Sequence, residues 1–301
     1  MCRTLSCFKN TQGSQITFED IAAEEKRLGL DKPFLYRYTK WVSDIVIKQD
    51  FGDSCILRIS INELLSGRFV LSLTIAITAL LFSYAIAIPV GIISATTKYA
   101  SLDNALKFIS YLGIALPNFL VALCIMLFMT VYYGDTMTGL FSQEYENAPW
   151  SFAKVQDFLR RAWLPIFVVG WNATAFALQT VRALMLDEND KLYVMAARAR
   201  GVSGMSLLWR YPAKHSLGPV INSIGFDLNR IFSALPVVAL ILILTEAGAL
   251  LIEALARSND QQLAGAIIFL LTATIVFVNF VTDIILAIMD PRIRKGVMGG
   301  S

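Results

Sequence analysis

Two oppositely charged residues lie inside an apolar stretch of this chain, where ionised side chains are rare. Asp227 and Arg230 are three positions apart, so a helix places them on one face, where they can form an ion pair. Charge within a membrane-length segment is costly and usually faces a bundle interior or a water-filled path. Two interpretations remain open: the pair lines a path for a polar solute, or it is a structural ion pair between helices.

Polar side chains near this pair favour the first interpretation without deciding it. Asn229 adjoins the pair, and Asn118 follows Pro117 within another apolar run. A proline breaks a membrane helix and frees backbone groups that only protein or water can satisfy. The break is therefore either a pore-lining bend or a packed kink. The predicted pathway residues are Asp227, Arg230, Asn118 and Asn229.

Residues for catalysis or metal binding are scarce. His215 is the only histidine, and the four cysteines form no Cys-x-x-Cys pair. No Gly-x-x-x-x-Gly-Lys-Ser/Thr loop is present to cradle a nucleotide phosphate. We predict no metal site, no cofactor and no ATP hydrolysis in this chain. We also expect no nucleic-acid partner, because the net charge is only +3.

A basic segment between two apolar runs has the most informative pattern. Residues 192–219 hold four Lys/Arg and no acid. Residues 193–200 and 205–210 are predicted as short helices, and Gly201 permits a sharp turn because glycine tolerates positive φ. Small side chains on such a hairpin let a partner approach the backbone, while arginines pair with carboxylates. The alternative is an ordinary positively charged cytoplasmic loop.

Apolar runs of membrane-spanning length explain a composition that is 56% hydrophobic. The five predicted membrane helices are residues 69–95, 105–133, 162–186, 219–244 and 263–289. Nine Lys/Arg lie in the alternate links 96–104, 187–218 and 290–301, against four in links 134–161 and 246–262. The positive-inside rule therefore places the basic segment in the cytosol and residues 1–66 outside.

Two polar features lie beside these runs. Residues 246–262 carry an apolar helical face and are predicted as an external amphipathic helix near the membrane surface. Arg182 lies at the end of the third run, and we expect its long side chain to reach the polar interface.

The basic segment resembles the cytoplasmic loop of ABC-importer permeases. That loop is written Glu-Ala-Ala-x-x-x-Gly in the family, and here Met195 precedes Ala196 and Ala197, with Gly201 at the glycine position. The peptide branch is written Tyr-Val-x-x-Ala-Arg-Ala-x-Gly, which residues 193–201 match closely. The resemblance marks as coupling-loop residues Tyr193, Ala196, Ala197, Arg198, Ala199, Arg200, Gly201 and Leu207.

Motifs at both ends of the chain extend the resemblance. Residues 28–33 read Leu-Gly-Leu-Asp-x-Pro, residues 51–54 read Phe-Gly-x-Ser, and residues 290–294 read Asp-Pro-Arg-Ile-Arg. The chain thus resembles the first permease subunit of oligopeptide/dipeptide importers. The family has a further membrane helix before the external segment. We expect it to be lacking here, since residues 1–14 contain no apolar run of about 20 residues.

The resemblance implies an all-α fold: a polytopic membrane helical bundle of the type I ABC-importer permease kind, with about five transmembrane helices in this chain. It implies an external segment over residues 1–66 and a transmembrane permease domain over residues 67–290. A cytoplasmic coupling loop over residues 187–218 belongs to that domain. Residues 291–301 are expected to form a cytoplasmic tail.

The resemblance also implies a function, half of a translocation pathway for peptides in a bacterial plasma (inner) membrane. The implied partners are a second permease subunit, two cytosolic ATP-binding subunits, an extracytoplasmic solute-binding protein, a peptide substrate and membrane lipid. ATP and Mg are expected to bind to the partner ATPase, with no cofactor in this chain.

Other functions remain open at this point. An ATP-independent secondary transporter or channel subunit explains the polar residues in the helices but not the helix–glycine–helix loop. An importer of the same family for a non-peptide solute, such as nickel or a sugar, is a further alternative. A membrane-embedded enzyme is disfavoured because the sequence offers one histidine and no paired catalytic carboxylates.

Overall fold

The computed structural model describes residues 32–289 apart from residues 55, 98, 135, 136, 143 and 147, and also residue 26. The described residues are helical and contain no β-strand, only one isolated bridge between Asp53 and Ser60. This confirms the predicted all-α fold. Two predictions concern residues outside this described part of the chain. They are the cytoplasmic tail over residues 291–301 and the lack of a membrane helix within residues 1–14.

The described helices follow one another with short connections. In chain order they are α1 (Phe34–Lys48), α2 (Ile61–Leu65), α3 (Arg68–Thr96), α4 (Ala100–Ala115), α5 (Asn118–Tyr133), α6 (Phe152–Asn189), α7 (Leu192–Ala199), α8 (Gly204–Arg210), α9 (Pro212–Asn222), α10 (Ile224–Leu242), α11 (Ala247–Ile252), a π-helical turn (Glu253–Arg257) and α12 (Gln261–Met289). The chain divides into two compact units. One comprises Met1–Ser72 and Thr245–Thr272, and the other comprises Leu73–Leu244 and Ala273–Ser301.

The first unit joins the segment after α1 to the start of α12 around an apolar core. Ile61, Leu250 and Ile267 are among the buried members of that core. Asp260 is buried, accepts a hydrogen bond from the Ser54 hydroxyl at 2.5 Å and accepts another from the backbone N–H of Leu263 at 3.1 Å. This carboxylate therefore caps α12 and holds the preceding segment at the same time.

A second buried carboxylate in this unit, that of Glu246, caps α11. It accepts hydrogen bonds from the backbone N–H groups of Gly248 and Ala249, both at 2.8 Å, and from the Ser72 hydroxyl. Burial raises the pKa of the Glu246 carboxyl. Because Leu250 and Ala254 are buried here, the predicted amphipathic helix is a short helix and a π-helical turn packed in the unit core.

The second unit is organised around α6, which packs against α4, α5, α9 and α10. Small residues permit close approach between these helices. A Cβ added at Gly113 in α4 would lie 2.8 Å from the Ala175 Cβ. Hydroxyl groups bridge the contacts: the Ser110 hydroxyl donates to the Ala175 carbonyl at 3.0 Å, and the Ser83 hydroxyl donates to the Gly170 carbonyl at 3.0 Å.

Among the described residues, four helical segments are long and apolar enough to cross a membrane: Ile61–Thr96, Phe152–Asn189, Ile224–Leu242 and Gln261–Ile288. Helices α4 and α5 meet at an angle of 101° around Pro117, and they make a fifth span if they are taken as one broken segment. The break predicted at Pro117 is confirmed. The prediction of about five spans agrees with this range.

One predicted boundary differs from the structure. The sequence predicted one apolar run over residues 219–244, whereas the chain is already helical from Pro212 and breaks at Ser223 before α10 begins. Proline suits the first position of a helix because the backbone N–H it lacks has no partner there in any case. The basic segment therefore continues as α9 up to the membrane span.

Candidate functional site

The turn between α7 and α8 has the hydrogen bonds of a glycine-terminated helix. The N–H of Gly201 donates to the Arg198 carbonyl at 2.9 Å, and the N–H of Val202 donates to the Ala197 carbonyl at 3.2 Å. Gly201 has φ = +83°, and no atom lies within 4 Å of a Cβ built there. These two bonds define the Schellman motif, which favours glycine at the left-handed position. The predicted positive φ at Gly201 is confirmed.

This hairpin, residues 192–211, has a small apolar interior. Val194, Ala197 and Leu207 are buried, with Tyr193 packed beside them. The coupling-loop residues predicted from the sequence therefore divide into two groups. Ala197, Leu207 and the half-buried Tyr193 hold the hairpin together, whereas the exposed ones are Ala196, Arg198, Ala199, Arg200 and Gly201.

Large apolar side chains accompany the small residues on the exposed surface of the hairpin. Leu192 is 80% exposed and Trp209 is 48% exposed, and Met195 and Met205 are also exposed. Exposed apolar clusters of this kind mark surfaces that bind other proteins or membranes. The sequence prediction did not include these four residues, although their spacing around the two short helices was available.

The hairpin is tied to the C-terminal end of α6. The Tyr193 hydroxyl donates a hydrogen bond to the Glu188 carboxylate, and the Arg198 guanidinium donates one to Oδ1 of the Asn189 side chain at 2.6 Å. Burial, and then the hydrogen bond to the Glu188 carboxylate, raise the pKa of the Tyr193 hydroxyl, so it remains a donor at neutral pH. Lys191 adds an ion pair to Glu188 at 2.6 Å.

Helix α9 provides a second attachment to α6. Ala213 and Val220 of α9 are buried against Val181 and Met185 of α6. The hairpin is thus connected to α6 through polar contacts on one side and through an apolar interface on the other.

Inside the second unit, the predicted Asp227–Arg230 pair is formed, with Nη1 of Arg230 3.0 Å from Oδ1 of Asp227. The Tyr84 hydroxyl donates a hydrogen bond of 2.6 Å to the other carboxylate oxygen of Asp227. Asp227 is only 5% exposed, whereas the Arg230 side chain is 37% exposed. The acid of the pair is therefore enclosed between helices, and the base is its accessible member.

The Arg230 side chain lines a cavity of about 340 Å³ between α5, α6 and α10. Asn118 at the start of α5 and Asn172 of α6 also line it, as does Ser233. Asn229 is exposed but does not line this cavity, and Asp227 does not line it either. Of the four predicted pathway residues, the structure brings Asn118 and Arg230 together here.

A family model described as the binding-protein-dependent transport system inner membrane component matches residues 87–295, which is more than half of the chain. The chain belongs to that family. The matched range includes the hairpin, α6 and the cavity, so both candidate regions lie within the permease segment of the chain. The protein is accordingly a multi-pass membrane permease subunit.

Similar proteins extend the match over most of this permease. It is 28% identical over 270 residues to the oligopeptide transport system permease protein AppB of Bacillus subtilis, covering 89% of this chain and 83% of AppB. It is 30% identical over 281 residues to the inner membrane ABC transporter permease protein YejB of Escherichia coli O157:H7, covering 91% of this chain and 76% of YejB.

A solved structure shows the same fold in a permease. A chain of the MetNI methionine ABC transporter, in an inward facing conformation, superposes with a TM-score of 0.60 at 16% sequence identity. The match covers 76% of this chain and 97% of that chain. The predicted bundle of the type I ABC-importer permease kind is thereby confirmed.

The structure adds partners for Arg182 that the sequence did not predict. Its Nη2 lies 3.0 Å from Oδ2 of Asp103, and its Nε lies 3.2 Å from the Ser94 hydroxyl. The expected position of Arg182 at the membrane interface stays a prediction. Lys107 also pairs with Asp103, at 2.6 Å. This cluster joins α3, α4 and α6, and it was missed because its members are far apart in the chain.

Proposed function

We propose that this chain forms half of the translocation pathway of an ATP-driven peptide importer in the bacterial plasma membrane. Family membership gives the permease role, and AppB, whose name specifies oligopeptide transport, motivates the peptide substrate. The proposed partners are a second permease subunit, two cytosolic ATP-binding subunits that bind ATP and Mg, and an extracytoplasmic solute-binding protein. Residues 1–66 are external in this proposal, and residues 291–301 form the cytoplasmic tail.

The observation that carries the coupling proposal is the hairpin of residues 192–211. Its apolar surface is exposed, with Leu192 and Trp209 among the accessible side chains. Its main described attachments within the chain run to α6 and α9, through contacts such as Tyr193 to Glu188. An exposed apolar surface on a rigidly attached element supports docking of a cytosolic subunit.

The proposed mechanism is alternating access. Closure of the ATP-binding subunits upon ATP would displace the hairpin, and the contacts at Glu188 and Met185 would carry that displacement into α6. Because α6 packs against α4, α5, α9 and α10, its movement changes the cavity walls rather than one helix alone. The energy of ATP binding thus shifts the population between inward and outward states.

Orientation gives a first test of this proposal. A single cysteine at position 203, in a chain without its native cysteines, is expected to resist a membrane-impermeant maleimide added to sealed cells and to react after permeabilisation. A cysteine at Arg58, which is exposed in the segment assigned to the outside, serves as the matched control and is expected to react in both conditions. Strong labelling at position 203 in sealed cells contradicts the proposed topology.

Partner identification tests the assembly. Affinity purification of the full chain from its native membrane is expected to recover an ATP-binding subunit and a second permease, identified by mass spectrometry. Replacing both Leu192 and Trp209 by serine is expected to reduce recovery of the ATP-binding subunit and to retain the second permease. Recovery of the chain alone, or as a complex without an ATPase, favours a secondary transporter or channel instead.

A further inference from the structure

The cavity between α5, α6 and α10 has an apolar lining with a polar side that includes one arginine. Its polar lining residues are Asn118, Asn172, Arg230 and Ser233. None of the described lining residues is acidic, and Asp227 is enclosed behind Arg230 by its hydrogen bond with Tyr84. At about 340 Å³ the cavity accommodates part of a peptide rather than a whole one.

The guanidinium of Arg230 is held in place but retains free donors. Its Cζ lies 3.8 Å from the centroid of the Phe176 ring, and its Nη1 donates to Asp227 at 3.0 Å. A guanidinium has five N–H donors in a fixed fork, and the described contacts of Arg230 use one of them for a hydrogen bond. The fork is therefore fixed in orientation while most of its donors remain available to a ligand.

Asn118 adds a second polar group to the cavity lining. Its Oδ1 is buried and has no hydrogen-bond partner among the described residues. A buried acceptor without a donor is costly, and such atoms are commonly satisfied by a ligand or by water. Asn118 also opens α5 after the break at Pro117, so the positive end of that helix faces the cavity wall that it forms.

We propose that this cavity is a subsite for the C-terminal carboxylate of the transported peptide. The Arg230 fork binds the carboxylate, a geometry in which guanidinium and carboxylate groups pair well. Asn118 lines the same cavity, so its side-chain amide is placed near the last peptide bond. This inference rests on the proposed peptide function and adds the part of the substrate that the permease itself recognises.

The test compares tripeptides built from Ala, Leu and Phe, supplied as free acids and as C-terminal amides. These peptides contain no acidic side chain, so the terminal carboxylate is the only anionic group compared. Initial uptake into proteoliposomes holding the whole complex, with loaded binding protein outside and ATP inside, gives an acid-to-amide ratio. The ratio is expected to fall about threefold to tenfold in Arg230→Gln relative to the unsubstituted complex.

The binding protein's own preference for acid or amide affects uptake by both complexes equally. It therefore cancels when the acid-to-amide ratio of Arg230→Gln is compared with that of the unsubstituted complex. Arg257→Gln, an exposed arginine outside the cavity, is the matched control and is expected to leave the ratio unchanged. If Arg230→Gln does not assemble, Arg230→Lys retains the charge without the fork and is expected to lower the ratio in the same direction.

The possible outcomes distinguish a failure of the carboxylate subsite from a failure of the proposed peptide import. Equal ratios in the unsubstituted and Arg230 variant complexes overturn the carboxylate subsite while leaving peptide import intact. Absence of ATP-dependent uptake for both peptide forms in the unsubstituted complex contradicts the proposed function itself. A larger effect of Arg230→Gln on the amides than on the acids also overturns the subsite, because it assigns Arg230 to another part of the peptide.

Discussion

Replacing Gly201 by valine is expected to uncouple peptide uptake from ATP hydrolysis and to lower uptake at least tenfold. The position has φ = +83°, which a β-branched residue adopts only with strain. The cost is about 1–3 kcal/mol if the surroundings hold the backbone in place. A change of the backbone angle that relieves this strain moves α8 relative to α7, so the docking surface is displaced.

The expected effect of Gly201→Val does not come from the size of the valine side chain. Nothing lies within 4 Å of a Cβ at Gly201, so the strain comes from the backbone angle and not from a clash. Gly201→Asn is the matched control, since asparagine tolerates the left-handed region and is expected to keep most of the coupling. Uptake and stimulation of ATP hydrolysis by loaded binding protein are measured on the purified complexes. If Gly201→Val shows normal uptake and normal stimulation of ATP hydrolysis, the hairpin is only a positively charged connecting loop and does not couple the ATPase to transport.

Removing the carboxylate of Asp227 is expected to destabilise the permease more than it alters transport by the molecules that remain assembled. The buried carboxylate accepts hydrogen bonds from Arg230 at 3.0 Å and from Tyr84 at 2.6 Å. Asp227→Ala removes the acceptor of the Arg230 guanidinium and the shorter of the Tyr84 contacts, at a cost of about 1–3 kcal/mol. The larger loss of stability that follows removal of one partner from a fully buried ion pair does not apply, because the Arg230 side chain is 37% exposed.

A double-mutant cycle checks the assignment of Asp227 to a structural role. Tyr84→Phe alone is expected to cost less than Asp227→Ala, and the two together are expected to be non-additive because they share one hydrogen bond. The readouts are the thermal stability and yield of the co-purified complex, beside uptake per assembled complex. Full yield and stability with uptake lost would instead place Asp227 in contact with the substrate.

Local features of this chain were accessible from its sequence. The turn at Gly201 and the break at Pro117 follow from the backbone restrictions of glycine and proline, which act within a few residues. The Asp227–Arg230 pair lies within one helical turn, so its spacing predicts the contact. The membrane spans follow from apolar run length, with boundaries that move where Pro212 starts a helix early.

Long-range polar contacts were not accessible in the same way. Arg182 pairs with a carboxylate 79 positions away, and Tyr84 bonds to one 143 positions away. A single sequence contains no signal that joins such distant positions, so neither the Arg182–Asp103 pair nor the Tyr84–Asp227 hydrogen bond was predicted. The division of the Asp227–Arg230 pair into a buried acid and an accessible base likewise depends on which helices surround it.

The central claim is that this permease imports peptide only when a cytosolic ATPase drives it. The most direct measurement is uptake of labelled tripeptide by proteoliposomes that hold the purified complex, with loaded binding protein outside. ATP inside is compared with its non-hydrolysable analogue. The account predicts uptake with ATP and essentially none with the analogue. Equal uptake in both conditions contradicts it and identifies the chain as part of an ATP-independent transporter or channel.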